Sequence, residues 1–391
     1  MSIETSAVTA PNFSKRRSSG VATVTDRIAI FIPTLAGGGA EQVILRLARG
    51  FVSRGHPVDL VVVKADGEFH ARVPDCVRLV ELGSRRVLQS VPALVRYLHR
   101  ERPAVLLSTL NRANIVAVLA SLVAPKATRI VIRQAAHLSK DLNENSSVAT
   151  ALEGFLVRWC YPLADEVVAV SHGVADDLAG CLKIPHSRIK VIPNPIVTPE
   201  LSRLAKAPLE HPWFEACGVP VILGAGRLVQ QKRFDVLIHA FARVHEKRQS
   251  RLMILGEGEK RPDLEALVGT LGLADVVSMP GFVENALPYM VRADLFVLSS
   301  AFEGLPGALI EAVACGTPVV ATDCDSGPRE ILQGGRFGRL VPVGDVSALA
   351  EAICTALGEP RKPPPLDACF RYTESAGVDA YLATLLELGD G

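Results

Sequence analysis

Two glutamates, Glu303 and Glu311, stand eight positions apart across Gly304-Leu305-Pro306-Gly307 in the run Ser299-Ser-Ala-Phe-Glu-Gly-Leu-Pro-Gly-Ala-Leu-Ile-Glu311. The apolar residues from Leu295 to Leu298 read as a buried strand, and Ala308 to Ala314 as a helix with Pro306 suited to its first turn. That spacing puts Glu303 on a loop and Glu311 in the helix's opening turns. Unpaired N–H groups at a helix start, with the positive end of its dipole, form a seat for a phosphate or diphosphate. Carboxylates beside such a seat repel phosphate but accept hydrogen bonds from sugar hydroxyls. A ligand that carries both groups is a nucleotide sugar. In isolation the pair reads more simply as a solvated acid and a helix-dipole partner, so the rest of the chain must decide.

The elements that must position these groups follow a strand-helix rhythm. Arg27-Ile-Ala-Ile-Phe-Ile-Pro33 reads as a first buried strand, followed by Thr34-Leu-Ala-Gly-Gly-Gly-Ala40 and a helix beginning near Glu41. Gly37, Gly38 and Gly39 let the backbone approach a ligand, and Glu41 suits a helix's first turn. The pattern is neither Gly-x-Gly-x-x-Gly nor a P-loop. Strand-like runs at 58–63, 77–82, 104–108, 129–133 and 166–171 alternate with helical stretches, which predicts a mostly parallel sheet covered by helices. His137 follows the 129–133 run, at the end of the sheet where open α/β folds bind ligands, and is a candidate active-site residue.

Lys190-Val-Ile-Pro-Asn-Pro195 closes this half, and the Pro- and charge-containing stretch 198–212 reads as an interdomain connection. A second rhythm begins with Val221-Ile-Leu-Gly-Ala-Gly-Arg227. Arg227 and Lys232 then lie between a strand's carboxyl end and a helix start, where fixed cations can hold a diphosphate. Further strands are predicted at 251–255, before Met279-Pro-Gly-Phe282, at 318–323 and at 339–342. The expected organisation is α/β, with two domains facing across a cleft: a disordered tail at 1–24, domains at 25–205 and 206–365, and a closing segment at 366–391 able to cross back to the first domain.

Composition narrows the function classes. A chain of 391 residues that is 49% apolar can bury more than one core. Its 42 Lys and Arg balance 41 Asp and Glu, which argues against a nucleic-acid partner. Eight scattered cysteines with no Cys-x-x-Cys pair fit a reducing compartment and no zinc site. The first two dozen residues have no apolar core of the kind a signal peptide needs, and the run from Ile115 to Ala124 is about half the length required to span a bilayer. Arg85, Arg86, Arg96, His99, Arg100 and Arg102 gather around the helical stretch 89–102, either as a solvated face or as a contact for an anionic membrane.

Taken together, Gly37-Gly-Gly-Ala-Glu41, Gly226-Arg-Leu228 with Lys232, Gly256-Glu-Gly258, Gly281-Phe282, Glu303 to Glu311 and Ser326-Gly-Pro-Arg-Glu330 resemble glycosyltransferase family 4, the retaining GT-B enzymes. The resemblance covers nearly the whole chain after the tail and is strongest from Gly224 to Leu332. It implies a GT-B fold of two Rossmann-like domains, and transfer of a hexose or N-acetylhexosamine from a nucleotide sugar, UDP-linked, to a saccharide or lipid-linked saccharide acceptor in bacterial polysaccharide synthesis. It also implies that Glu311 binds the donor ribose, that Glu303 contacts the transferred sugar with Gly304, Leu305 and Pro306 alongside, and that Arg227 and Lys232 hold the diphosphate near Gly226 and Gly256. Gly37 to Gly39 and His137 then line the cleft from the acceptor domain, and Glu303, His137, Arg227 and Lys232 form the catalytic set.

No metal or cofactor is expected, because Asp323-Cys-Asp325 has a metal-binding spacing but falls within the region resembling Thr-Asp-x-x-Ser-Gly-Pro. Retention in the family is a same-face attack in which the departing phosphate takes the acceptor's proton, so Glu303 is not assigned as a nucleophile. The implied location is the cytoplasm, peripheral on the inner membrane. Two other readings stand beside this one: a GT-B sugar-nucleotide epimerase, and a non-catalytic glycan- or nucleotide-binding module.

Overall fold

A computed structural model describes residues 25–124, 127–143, 148–215, 218–362 and 365–386; the expected tail at 1–24 lies outside them. Strands β1 (Thr25–Ile32), β2 (Val58–Val62), β3 (Arg78–Glu81), β4 (Pro103–Thr109), β5 (Arg129–Gln134), β6 (Glu166–Ala169) and β7 (Ile189–Val191) form one sheet in the order β3-β2-β1-β4-β5-β6-β7. Strands β8 (Val221–Ala225), β9 (Arg251–Leu255), β10 (Val277–Gly281), β11 (Leu295–Leu298), β12 (Val319–Thr322) and β13 (Arg339–Val341) form a second in the order β10-β9-β8-β11-β12-β13. Every strand pairing is parallel. These are the two Rossmann-like halves of a GT-B fold. Helices cover both faces, so β2, β8, β11 and β12 are buried throughout and read as continuous apolar runs. The interruption in β2, Asp59, is met by Arg27, Arg78 and Tyr97; burial opposes its ionisation, but these hydrogen bonds hold the carboxyl below its usual value.

Six helices of the first domain matter below: α1 (Gly39–Ser53), α2 (Val91–Glu101), α3 (Asn111–Ser121), α4 (Leu138–Asn143), α5 (Val148–Cys160) and α6 (His172–Leu182). In each sheet the strand order reverses at one point, between β1 and β4 and between β8 and β11. A crevice opens at the carboxyl ends of strands at such a point. The Gly37–Gly39 loop leaves β1 there, and the loops carrying Arg227 and Glu303 leave β8 and β11 at the matching place in the other domain.

The chain crosses between domains at Asn194–Val197 and returns at Tyr372–Glu374. Ile196 and Val197 donate to Tyr372 O, both at 2.9 Å, and Glu374 N donates to Val197 O at 2.8 Å. The first crossing therefore precedes the 198–212 stretch that composition points to. The helix Leu201–Ala205 and its neighbours are already tied to the second domain, through Asn285 to Leu204 O and Arg292 to Ala207 O. The closing helix Glu374–Leu386 packs on α1, where a Cβ on Gly50 would lie 2.2 Å from Val378. Beneath both crossings lies Arg133, fully buried, whose guanidinium donates to Thr109, Asn194 and Tyr381.

Candidate active site

The β11 loop is clamped to the β8 loop by three hydrogen bonds: Ala301 N to Gln231 O, Gln231 Nε2 to Phe302 O and Ser299 Oγ to Lys232 O, each 2.8 Å. This clamp fixes Glu303 beside Lys232. Lys232 Nζ lies 2.5 Å from Glu303 Oε1, which also accepts from Ser300 Oγ at 2.6 Å. The other carboxylate oxygen, Oε2, accepts no hydrogen bond from the described residues and is the oxygen available to a ligand. The helix Gly307–Ala314 then begins at Pro306, which is its N-cap and not a first-turn residue. Proline has no side-chain oxygen with which to cap, so the first N–H groups stay open to a ligand.

Arg227 is exposed on the neighbouring loop and makes no ion pair among the described residues. Gly226 and Gly256 let the β8 and β9 loops touch: a Cβ on Gly256, whose φ is +136°, would lie 1.9 Å from Gly226 O. Leu305 and Pro306 are buried. Glu311 lies in the second turn of its helix, where burial raises its carboxyl above the usual value and Arg46 of α1 partly offsets that. Arg46 also donates to Pro195 O and Ile196 O on the first crossing, at 3.0 and 3.1 Å. Nothing in the local spacing of Arg46 marks it, and it escapes a reading from sequence.

In the first domain, Gly37, Gly38 and Gly39 are exposed, and a Cβ on Gly38 would lie 2.5 Å from Glu41 Oε2. His137 is buried at the domain interface. Its Nε2 lies 2.9 Å from Ser326 Oγ and its Nδ1 3.6 Å from Asp177 Oδ1. Ser326 spends its proton on the carbonyls of Glu303 (2.6 Å) and Gly304 (3.1 Å), so it accepts from His137. His137 thus reaches Glu303 through Ser326 and the main chain. Burial would raise the Asp177 carboxyl, but hydrogen bonds from His137 and Ser139 bring it down to about 2.

The same interface holds Ser171 Oγ on Gly304 O at 2.8 Å and Glu330 on the N–H groups of His172 and Gly173, both at 3.2 Å. Gly304 presses against Ala135, whose carbonyl oxygen would sit 2.0 Å from an added Cβ. Asp323 is taken by Arg329, and Asp325 faces Lys140 at 3.4 Å. Among the described residues no group of three or more His, Cys, Asp or Glu could hold a metal ion.

Family models for "Glycosyltransferase Family 4" and "Glycosyl transferases group 1" match residues 37–200 and 219–359. A Campylobacter jejuni N-acetylgalactosamine-N,N'-diacetylbacillosaminyl-diphospho-undecaprenol 4-alpha-N-acetylgalactosaminyltransferase is 30% identical over 341 residues, 85% of this chain and 90% of that one. The chain belongs to glycosyltransferase family 4. Over 42% of this glycosyltransferase and 46% of the relative, it is 35% identical to the lipopolysaccharide core biosynthesis glycosyltransferase LpsE of Rhizobium meliloti. Among solved structures, Anabaena HepE with UDP and glucose superposes with a TM-score of 0.75 at 21% identity, covering 92% of this chain and 99% of that one. The lipopolysaccharide outer core galactosyltransferase WaaB superposes with a TM-score of 0.70 at 20% identity, over 92% and 99%. These two likenesses concern the fold.

The structure therefore brings Glu303, Lys232, Ser300 and Ser326 into one constellation, with His137 and Asp177 behind it and Glu311 one helical turn further in. Asp177, in α6, lies forty positions after His137 in the chain, and only the fold makes them partners.

Proposed function

We propose that this glycosyltransferase moves a sugar, with retention of anomeric configuration, from a UDP-linked donor to a hydroxyl of a lipid-linked saccharide in bacterial surface-polysaccharide synthesis. The observation that carries the reading is Glu303: one oxygen is pinned by Lys232 and Ser300, and the other is open beside an uncapped helix N-terminus. In the reading, the donor diphosphate sits on the first turn of Gly307–Ala314, with Arg227 and Lys232 against its oxygens. The ribose hydroxyls donate to Glu311, and a hydroxyl of the transferred sugar donates to Glu303 Oε2. The bond from the anomeric carbon to the β-phosphate oxygen breaks while a bond to the acceptor oxygen forms on the same face, and the acceptor's proton passes to the departing phosphate. Fixed cations and helix N–H groups stabilise the charge that develops there.

The lipid-linked acceptor follows the name of the Campylobacter relative, and UDP follows the ligand of HepE. The relatives named above are transferases, and this favours transfer over epimerisation. A thermal-shift series with UDP, GDP, ADP and their sugar conjugates tests the donor. Stabilisation by UDP compounds alone, abolished by Glu311→Ala, is the expected result; no shift with any nucleotide would move the binding-module reading to the front.

A further inference from the structure

Six of the eleven large apolar side chains exposed among the described residues are Leu122, Val123, Leu152, Phe155, Trp159 and Leu163. They belong to the residues just after α3, to α5, and to the turn that follows α5, and α3, α5 and this turn pack on one another. In α5 the exposed positions 152, 155 and 159 follow helical spacing, while Gly154, Val157 and Cys160 on the other side are buried. A helix apolar on both sides has a second surface left to bury. Phe155 is 65% and Trp159 49% exposed.

The charges that border this face are mainly positive. Arg158 is exposed between Phe155 and Leu163. Arg188 donates to Pro162 O and Ala164 O, bracketing Leu163, and its segment adds exposed Lys183 and Lys190. The nearby acids are engaged: Glu153 by Arg112 at 2.9 Å, Asp165 by Ile130 N at 2.7 Å, and Asp176 faces His186 at 3.8 Å. A second copy pairing two-fold on this face would set its cations against their own duplicates. Aromatic and aliphatic groups ringed by Arg and Lys instead match the boundary between acyl chains and anionic head groups.

We propose that α5, with the end of α3 and the turn at Leu163, docks the protein on an anionic bilayer surface. Phe155, Trp159 and Leu163 enter the head-group boundary, and Arg158 and Arg188 meet lipid phosphates. This surface replaces the α2 region as the contact, since among the residues of that region only Leu88 is a large exposed apolar side chain. α5 follows His137 and α4 in the chain, so docking holds the acceptor side of the cleft near the membrane. That purpose rests on the lipid-linked-acceptor reading, while the docking itself is tested without any acceptor.

The test uses the full chain carrying Trp213→Phe, which leaves Trp159 as its only tryptophan. Phosphatidylcholine vesicles with phosphatidylglycerol are expected to sediment the protein, shift Trp159 emission to the blue and allow its quenching by brominated lipid; vesicles without phosphatidylglycerol do so far less. Added salt weakens the binding. Leu152→Ser with Phe155→Ser weakens partitioning at least about tenfold while the UDP thermal shift persists; Arg85→Glu with Arg86→Glu leaves partitioning intact. Should the patch variant not fold, quenching in the parent protein decides. The proposal fails if Trp159 is unchanged by anionic vesicles, if binding is lost with Arg85 and Arg86 instead, or if light scattering shows a dimer that the patch variant splits and vesicles do not bind. Vesicle binding without transfer to any lipid-linked acceptor would retain the surface and sink only the acceptor reading.

Discussion

Lys232 and Glu303 form a nearly buried ion pair at the centre of the site, their side chains 16% and 7% exposed. Lys232→Met removes the ammonium and leaves the carboxylate with Ser300 as its partner. Breaking a fully buried pair from one side costs about 3–5 kcal/mol. The residual exposure of Lys232 and the adjoining cleft admit water, which brings the expected cost to about 2 kcal/mol. For a domain of this size that is a fall in Tm of about 4–8 °C. Adding Glu303→Gln to Lys232→Met removes the stranded charge and keeps an acceptor for Ser300, so most of the Tm returns. On the proposed roles activity does not return, because the double variant lacks one of the two cations for the diphosphate and the carboxylate for the sugar. Differential scanning fluorimetry reads the first effect and UDP release the second. A Lys232→Met protein that melts like the wild type, or a double variant as unstable as the single one, would refute the argument that Lys232 neutralises Glu303.

Arg227 is exposed and unpaired among the described residues, so Arg227→Ala should leave Tm unchanged and lower kcat/KM at least tenfold, about 1.4 kcal/mol of transition-state stabilisation; normal kinetics would remove it from the diphosphate. Glu311 carries a pH prediction. Burial raises its carboxyl, so the folded chain binds this proton more readily than the unfolded chain, and the associated stability is present at low pH and lost as pH rises through the raised value. On the proposed reading the ribose hydroxyls donate to the ionised form, so UDP affinity runs the other way and climbs as pH rises through that raised value. Titration calorimetry should show that climb in the wild type and a flat profile in Glu311→Gln; identical profiles would remove Glu311 from the ribose site. His137→Ala should lower kcat with UDP affinity preserved, and Ser326→Ala, which breaks the same relay to the Glu303 carbonyl, should reproduce part of that loss. Wild-type turnover in His137→Ala would make it a structural residue.

The strands were legible because burial on both faces demands unbroken apolar runs, and the loops after β8 and β11 because glycine, proline and charge fall together at strand ends. What the sequence conceals is anything that depends on two distant segments meeting. The stretch 198–212 has the composition of a linker, yet Leu204 and Ala207 are held by Asn285 and Arg292 about eighty positions away, so the crossing lies upstream. Asp177 and Arg46 were invisible for the same reason. Their partners, His137 and the carbonyls of Pro195 and Ile196, come from other elements. The basic residues near α2 were easy to see as a cluster, whereas the apolar face of α5 looks in sequence like an ordinary buried helix until its exposure is known.

The two domains place a glycine-bearing loop before a helix at the same topological point, and each helix start is by itself a seat for an anion. They differ in what fills the seat. In the first domain Glu41 folds back against Gly38, which puts a carboxylate over the start of α1 and repels phosphate. In the second the cap is Pro306, which offers no side-chain acceptor, and Lys232 stands on Glu303 just before it, with Arg227 exposed on the same loop as Lys232. On the proposed reading, a diphosphate is therefore directed to one side of the cleft and a neutral hydroxyl-bearing acceptor to the other, although the backbone geometry would serve either. Exchanging the filling should exchange the preference: Glu41→Gln opens the α1 seat to anions, and inorganic phosphate should then compete with acceptor in steady-state kinetics, as it should not in the wild type. Equal competition in both proteins would mean that Glu41 does not govern the choice.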